Sequence, residues 1–122
     1  MFTKISTISV PVKDQEVSKN FYVNMLGCRV VQDVSVMPGM RWLRLEFPGV
    51  ETRIVLVTWF KQMAPGSLQG VILITDDIAK TSAELKSRGL EVSPIKQQPY
   101  GQEATFSDPD GNGWVLQQPA TV

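Results

Sequence analysis

The 122-residue chain contains no histidine and a single cysteine, Cys28. Without histidine it cannot form a Ser–His or Cys–His nucleophile pair, and it lacks the commonest protein ligand for zinc. One cysteine cannot form an intramolecular disulfide, which fits a reducing compartment. Any metal site or acid–base site would therefore have to use carboxylates, amides, carbonyl oxygens or this one thiol.

The chain also lacks an excess of charge of either sign, because 12 Lys and Arg residues balance 12 Asp and Glu residues. Proteins that bind nucleic acid usually carry a basic face, so no nucleic-acid partner is predicted. No apolar run approaches the roughly 20 residues of a membrane span. Residues 1–6 lack the basic-then-apolar layout of a secretory signal. We therefore expect a cytoplasmic protein with no membrane partner, and the length predicts one domain over residues 1–122.

The most distinctive local pattern is the sequence DPDGN at residues 108–112. Proline presets its own φ, aspartate side chains bond nearby backbone N–H groups, and glycine tolerates a positive φ. The short flanks at 104–107 and 114–117 contain β-branched and aromatic residues. The pattern therefore predicts a β-hairpin near the C-terminus.

A half-length repeat organises the rest of the chain. Residues 1–59 and 70–118 each show the pattern of a strand, a helix and three further strands, joined by a linker at 60–69 that contains Pro and Gly. The first helix is predicted to start at Asp14 and to bury a stripe that includes Val17. A half cannot bury its sheet face alone, so the two halves are expected to pair in an α+β fold.

Three segments of the chain carry a family resemblance. They are ISVPVKD at 8–14, FYVNMLG at 21–27 and DPDGN at 108–112. Together they resemble the vicinal oxygen chelate superfamily, which contains glyoxalase I, extradiol dioxygenases, fosfomycin-modifying enzymes and bleomycin-type resistance proteins. The resemblance spans both half-repeats. It implies two βαβββ modules that form a curved mixed sheet around a cleft, and it implies a homodimer.

The same resemblance shows where metal ligands would lie. Metal-dependent members carry a ligand, usually histidine, seven residues before the aspartate that opens the first helix, and this chain has Thr7 there. The equivalent position before the second helix is Gly70, and the glutamate that follows the DPDGN turn is replaced by Val115. Residues 54–58, where a further acidic ligand would fall, contain no acid. We therefore predict neither a metal nor another cofactor.

An apolar cleft with a few polar groups suits a small organic ligand. Strand alternation places some residues on the cleft side, and aromatic residues near strand ends could stack on a planar ligand. The candidate ligand-binding residues are Thr7, Ser9, Trp42, Arg44, Trp59, Phe60, Ile72, Tyr100, Val115 and Gln117. The alternative is that these positions fill a closed core, pack structurally or form a dimer contact.

Two glutamates are candidate acid–base residues. Alternation places Glu46 beside Trp42, and Glu103 is predicted to face the same cleft. Paired carboxylates can perform proton transfer when burial separates their pKa values. The alternative is that both are solvated acids at strand edges.

Three functions follow from these patterns. The first is a metal-free protein that sequesters a hydrophobic or aromatic organic molecule, such as an antibiotic. The second is a metal-independent lyase or isomerase of the same superfamily, with Glu46 or Glu103 as base. The third is a non-catalytic interaction protein with a filled cleft. The half-repeats of one chain could pair with each other or with those of a second copy.

Overall fold

The βαβββ order predicted for each half occurs twice in the computed structural model, which describes residues 1–121. The elements are β1 (Thr7–Pro11), α1 (Gln15–Asn24), β2 (Arg29–Met37), β3 (Met40–Glu46), β4 (Arg53–Val57), β5 (Val71–Ile74), α2 (Ile78–Ser87), β6 (Lys96–Gln98), β7 (Gly101–Ser107) and β8 (Gly113–Pro119). The predicted α+β class is confirmed. The division into a single domain stays a prediction, and Val122 lies outside the described residues.

Each half forms a four-stranded mixed sheet with the same layout. The first sheet has the order β1-β4-β3-β2 and the second has the order β5-β8-β7-β6. In each sheet the first pair is parallel and the other two pairs are antiparallel. Among residues 1–121, hydrogen-bonded pairing joins strands of the same half, so the two sheets are separate.

Both helices begin and end where local chemistry favours it. Asp14 caps α1 by accepting hydrogen bonds from two backbone N–H groups of the first turn, and Asp77 caps α2 by accepting one from the Lys80 N–H. Gly27 and Gly89 follow the helices with φ of +76° and +94°, a conformation that favours glycine. Within the described chain, no helix is long and apolar enough to cross a membrane.

The buried stripe predicted for α1 is wrong at Val17, although Phe21 of the same helix packs against the core. Val17 is 51% exposed, whereas Ser18 and Tyr22 are fully buried. The helix turns this polar face inward because the DPDGN turn supplies hydrogen-bond partners for both hydroxyl groups. Helix α2 buries Ile78, Ser82 and Leu85. Among the described residues, the buried Ser82 hydroxyl has no hydrogen-bond partner.

The two halves share one hydrophobic core. The ring of Trp114 in β8 contacts Tyr22 of α1 at 5.9 Å and Phe47 after β3 at 5.7 Å, both edge to face. Cys28 is part of the same cluster, and burial raises the pKa of its thiol to about 12. The thiol is therefore protonated at neutral pH and serves as a small apolar side chain.

The Asp108 carboxylate lies at the centre of a buried hydrogen-bond network. It is 5% exposed. Its Oδ1 accepts from the backbone N–H groups of Asp110 and Asn112, each at 2.9 Å. Its Oδ2 accepts from the Tyr22 hydroxyl at 2.8 Å and from the Asn112 side-chain amide at 2.7 Å. Four donors therefore compensate the removal of this charge from water.

The same turn is also hydrogen-bonded to the first half and to the linker. Asn112 Nδ2 donates to the Pro11 carbonyl at 2.8 Å, and Asn112 Oδ1 accepts from the Leu68 backbone N–H at 3.0 Å. The linker passes so close that a Cβ at Gly66 would collide with the carbonyl oxygen of Asp110. The turn therefore fixes β1, the linker and the second sheet relative to one another.

Burial and the Asp108 carboxylate keep the Tyr22 phenol in its neutral form. Desolvation by burial, followed by the nearby Asp108 carboxylate, raises the pKa of Tyr22 well above its usual value. The neutral phenol donates to Asp108 and accepts from the Trp114 indole N–H at 3.0 Å. The hydroxyl is therefore satisfied as both donor and acceptor.

Replacing Asp108→Asn should destabilise the protein, because an amide cannot accept from all four donors. We expect a loss of about 2–3 kcal/mol in the free energy of unfolding, which lowers Tm by roughly 10 °C. Asp76→Asn is the matched control, because Asp76 is exposed. Thermal unfolding of both variants checks this, and equal Tm values would contradict the role assigned to Asp108.

Candidate functional site

Each sheet has one face in the shared core and one outward face. In the first sheet, Leu43 of β3 and Leu56 of β4 are in register and fully buried. Alternation along the strands puts Ser9, Val55 and Arg44 in register on the opposite face. We call this surface the outward face of the first sheet. Its further members are Thr7, Trp42, Glu46 and, just after β4, Trp59.

Aromatic side chains form one part of this outward face. The rings of Trp42 and Trp59 lie 6.4 Å apart at an interplanar angle of 30°, and Phe60 lies 6.0 Å from Trp59. The Trp42 indole Nε1 donates to Gln32 Oε1 at 2.8 Å, which fixes the ring orientation. Gln32 was not predicted, although it lies in the β2 register opposite Arg44.

Arg44 follows Trp42 by two residues on the same face of β3, a strand in the interior of the sheet. Val55, its register partner in β4, is 1% exposed although it points outward, so neighbouring side chains on this face cover it. The Nε of Arg44 is buried, and the described residues offer it no hydrogen-bond partner. The face therefore combines partly exposed aromatic rings with a cationic side chain, above a layer of buried valine.

The remaining predicted residues belong to the second half. Ile72 of β5 and Val115 of β8 are in register, and Gln117 lies on the same outward face. Ile72 is 51% exposed, and Tyr100 is exposed at the turn between β6 and β7. The ten predicted residues thus form two groups on separate sheets within one chain. Their common role in one cleft stays a prediction.

A cavity of about 250 Å³ lies between the halves, on the core side of the sheets. Its lining is apolar and includes Ile8, Ile54, Val71 and Trp114. Ile72 alone among the predicted ligand-binding residues lines it. It is smaller than the roughly 300–1,000 Å³ typical of ligand pockets and has few polar groups to orient a ligand.

The two candidate glutamates are not brought together. Glu46 forms ion pairs with Arg29 and with Arg53, the latter at 3.3 Å, so both its oxygens are engaged. Glu103 lies on the second sheet and accepts from the Tyr100 hydroxyl at 3.0 Å. That hydrogen bond raises the pKa of Tyr100. The structure therefore shows two separate polar clusters and no paired carboxylates.

The positions that would hold the metal of the superfamily do not fit one. Thr7 pairs its hydroxyl with that of Ser6 at 3.1 Å, Gly70 has no side chain, and Val115 is aliphatic. Across residues 1–121, no group of three His, Cys, Asp or Glu side chains is placed to hold a metal ion. Divalent metals need several N, O or S ligands, which these positions do not supply.

Comparison with known proteins now identifies the family. The family model described as Glyoxalase/Bleomycin resistance protein/Dioxygenase superfamily matches residues 4–116. The chain belongs to this superfamily. The resemblance carried by the DPDGN turn and the FYVNMLG segment is therefore confirmed, and so is the fold that it implies.

Several known proteins are similar to this chain over nearly its whole length. TnmS3, an antibiotic binding protein from Streptomyces sp. CB03234, is 44% identical, with a TM-score of 0.91 and 98% of each chain covered. A member from Sphaerobacter thermophilus DSM 20745 is 34% identical, with a TM-score of 0.88 and coverage of 96% and 98%. Uncharacterized protein YetH of Bacillus subtilis (strain 168) is 31% identical, with 97% of this chain and all of YetH covered.

The site geometry predicts two classes of tryptophan. Trp42 and Trp59 are partly exposed on the outward face, whereas Trp114 is 1% exposed. Acrylamide should quench most of the fluorescence of the wild-type protein. It should quench little in the double variant Trp42→Phe/Trp59→Phe, whose only remaining tryptophan is Trp114. Equal quenching constants would show that Trp114 is accessible and that the assignment of the two faces is wrong.

Proposed function

We propose that this protein is a metal-free, cytoplasmic binding protein that sequesters a hydrophobic or aromatic organic molecule. The observation that carries the proposal is the outward face of the first sheet. There, Trp42, Trp59 and Phe60 form a flat aromatic surface beside Arg44, whose Nε has no partner among the described residues. Aromatic side chains with a few oriented polar groups are typical of small-molecule sites.

The similarity to TnmS3 supports this choice. That protein is described as antibiotic binding, and it matches this chain over nearly its whole length at 44% identity. An antibiotic with a flat ring system is therefore a suitable ligand class for this chain. The lack of metal ligands at Thr7, Gly70 and Val115 favours binding over the metal-dependent reactions of the superfamily.

The polar contacts of the glutamates also favour binding over catalysis. A general base must be within hydrogen-bond reach of the proton that it abstracts. Both oxygens of Glu46 contact guanidinium groups, and Glu103 is engaged by Tyr100. We therefore expect Glu46→Gln and Glu103→Gln to leave ligand binding within about threefold of wild type, a range below 1 kcal/mol.

A homodimer would complete the site. In one chain the outward face of the first sheet is open, and the corresponding face of the second sheet exposes Ile72 and Ile74. Strands β1 and β5 are edge strands, which present unpaired backbone groups to a second chain. We propose that the second sheet of one protomer covers the first sheet of the other, so that each cleft draws on both chains.

Binding is tested with a panel of planar aromatic compounds, antibiotics included, by thermal shift and calorimetry. At least one compound should raise Tm, and EDTA should leave its affinity unchanged. Trp42→Ala should weaken binding about tenfold or more, since a lost stacking contact costs roughly 1–2 kcal/mol. Phe2→Ala is the control, because Phe2 is almost fully exposed near the N-terminus. Failure of every compound to bind would contradict the proposed function.

The shared cleft is tested by mixing two variants that should each bind the ligand about tenfold or more weakly than wild type. Trp42→Ala damages the first-sheet face, and Val115→Trp fills the second-sheet face. If each cleft draws on two chains, a heterodimer contains one cleft without either lesion, so co-refolding should restore binding in a fraction of the sites. Calorimetry measures that fraction. No recovery, in a sample shown to be dimeric by ultracentrifugation, would mean that both faces of a cleft come from one chain.

A further inference from the structure

Arg44 differs from every other arginine of the chain in its partners. Arg29 and Arg53 contact Glu46, Arg41 contacts Glu16 at 2.7 Å, and Arg88 contacts Glu84 at 3.0 Å. Among the described residues, no carboxylate pairs with Arg44, and its buried Nε has no hydrogen-bond partner. A guanidinium group carries five N–H donors and cannot lose its charge in a protein. Arg44 therefore keeps a full positive charge and unused donors.

Arg44 lies within the candidate ligand site, so its unused donors lie in the region where a ligand would bind. It lies on β3, the strand between β2 and β4, so it is interior to the sheet. On its own strand, Trp42 precedes it by two residues on the same face. The nearest acid along the strand on this face, Glu46, is already engaged by Arg29 and Arg53.

The surroundings of Arg44 favour one geometry of ligand. The rings of Trp42 and Trp59 are only 30° from parallel, which suits a flat ring placed against either of them. Gln32 engages the Trp42 indole N–H, so that donor is not available to a ligand. Arg44 supplies the charge-assisted donors, and its planar group matches two acceptor oxygens of one carboxylate.

We propose that the site selects planar aromatic anions, in which a flat ring packs against Trp42 and Trp59 and a ring-attached carboxylate or ionised hydroxyl accepts from Arg44. This inference rests on the proposed function and adds the charge of the ligand to it. A neutral analogue of the same shape leaves the guanidinium unpaired. A cationic analogue places like charges together and binds most weakly.

The test compares three probes of one shape by isothermal titration calorimetry. They are 2-naphthoate, 2-naphthamide and 2-naphthylmethylammonium, which carry negative, zero and positive charge. Wild-type protein should bind the naphthoate about tenfold or more tightly than the naphthamide, the range of a charge-assisted hydrogen bond. The ammonium compound should bind most weakly, and the naphthoate affinity should fall as salt is raised.

Three variants assign the preference to Arg44. Arg44→Gln should bring the naphthoate-to-naphthamide ratio close to one, and Arg44→Lys should keep part of it, since lysine retains the charge and loses the planar fork. Arg88→Gln removes the same charge elsewhere and should leave the ratio unchanged. Circular dichroism and Tm confirm that each variant is folded.

The outcomes separate this inference from the proposed function. Equal wild-type affinity for naphthoate and naphthamide, or a ratio that survives Arg44→Gln, overturns the charge selectivity while ligand binding stands. Binding of neutral planar compounds without binding of 2-naphthoate overturns it as well. If no planar aromatic compound of any charge binds, the proposed function falls with it.

Discussion

The burial of one carboxylate, that of Asp108, is the constraint on which the rest of the structure depends. A carboxylate that is 5% exposed is stable only when hydrogen bonds replace its water. The replacements come from the hairpin turn itself and from Tyr22 in the other half, 86 residues earlier. Satisfying this group therefore requires that helix α1 and the second sheet lie together, and this contact brings the core faces of both sheets into one cluster.

That arrangement decides which surfaces remain for function. Because the apolar faces of both sheets meet in the shared core, the opposite faces are free to carry other chemistry. On the first sheet this chemistry is two tryptophans and an arginine for which residues 1–121 supply no ion pair. The metal positions of the superfamily lack ligands in this chain, so the scaffold is retained while its metal chemistry is not supported by the residues present.

Local sequence patterns predicted the positions of helices and strands well. They did not predict which side chains contact each other over long sequence distances. The helix start at Asp14 and the hairpin at residues 108–112 depend on neighbours in sequence, so local patterns predict them. The prediction for α1 is wrong at Val17 and omits Tyr22, which is turned inward by its hydrogen bond to Asp108, a distant partner. A hydrophobic pattern gives no sign of a polar residue that is buried for its hydrogen bond.

In the candidate site too, the strand faces could be predicted from the sequence, whereas the side-chain partners could not. Alternation placed Trp42 and Arg44 on one strand face, but the state of Arg44 depends on which arginines engage Glu46. That pairing is set by the strand register, which the sequence did not specify. The grouping of the ten predicted residues on two separate sheets likewise depends on how the halves pack, and the short linker pattern at 60–69 carried no information about it.

A crystal structure of the protein with 2-naphthoate is the most direct test of the central claim, that the outward face of the first sheet binds planar aromatic anions. We expect the ring to lie against Trp42 or Trp59 and a carboxylate oxygen to lie within hydrogen-bond distance of an Arg44 guanidinium nitrogen, with no metal between ligand and protein. A ligand bound in the cavity between the halves, or bound on the outward face with Arg44 turned away from it, would contradict the account.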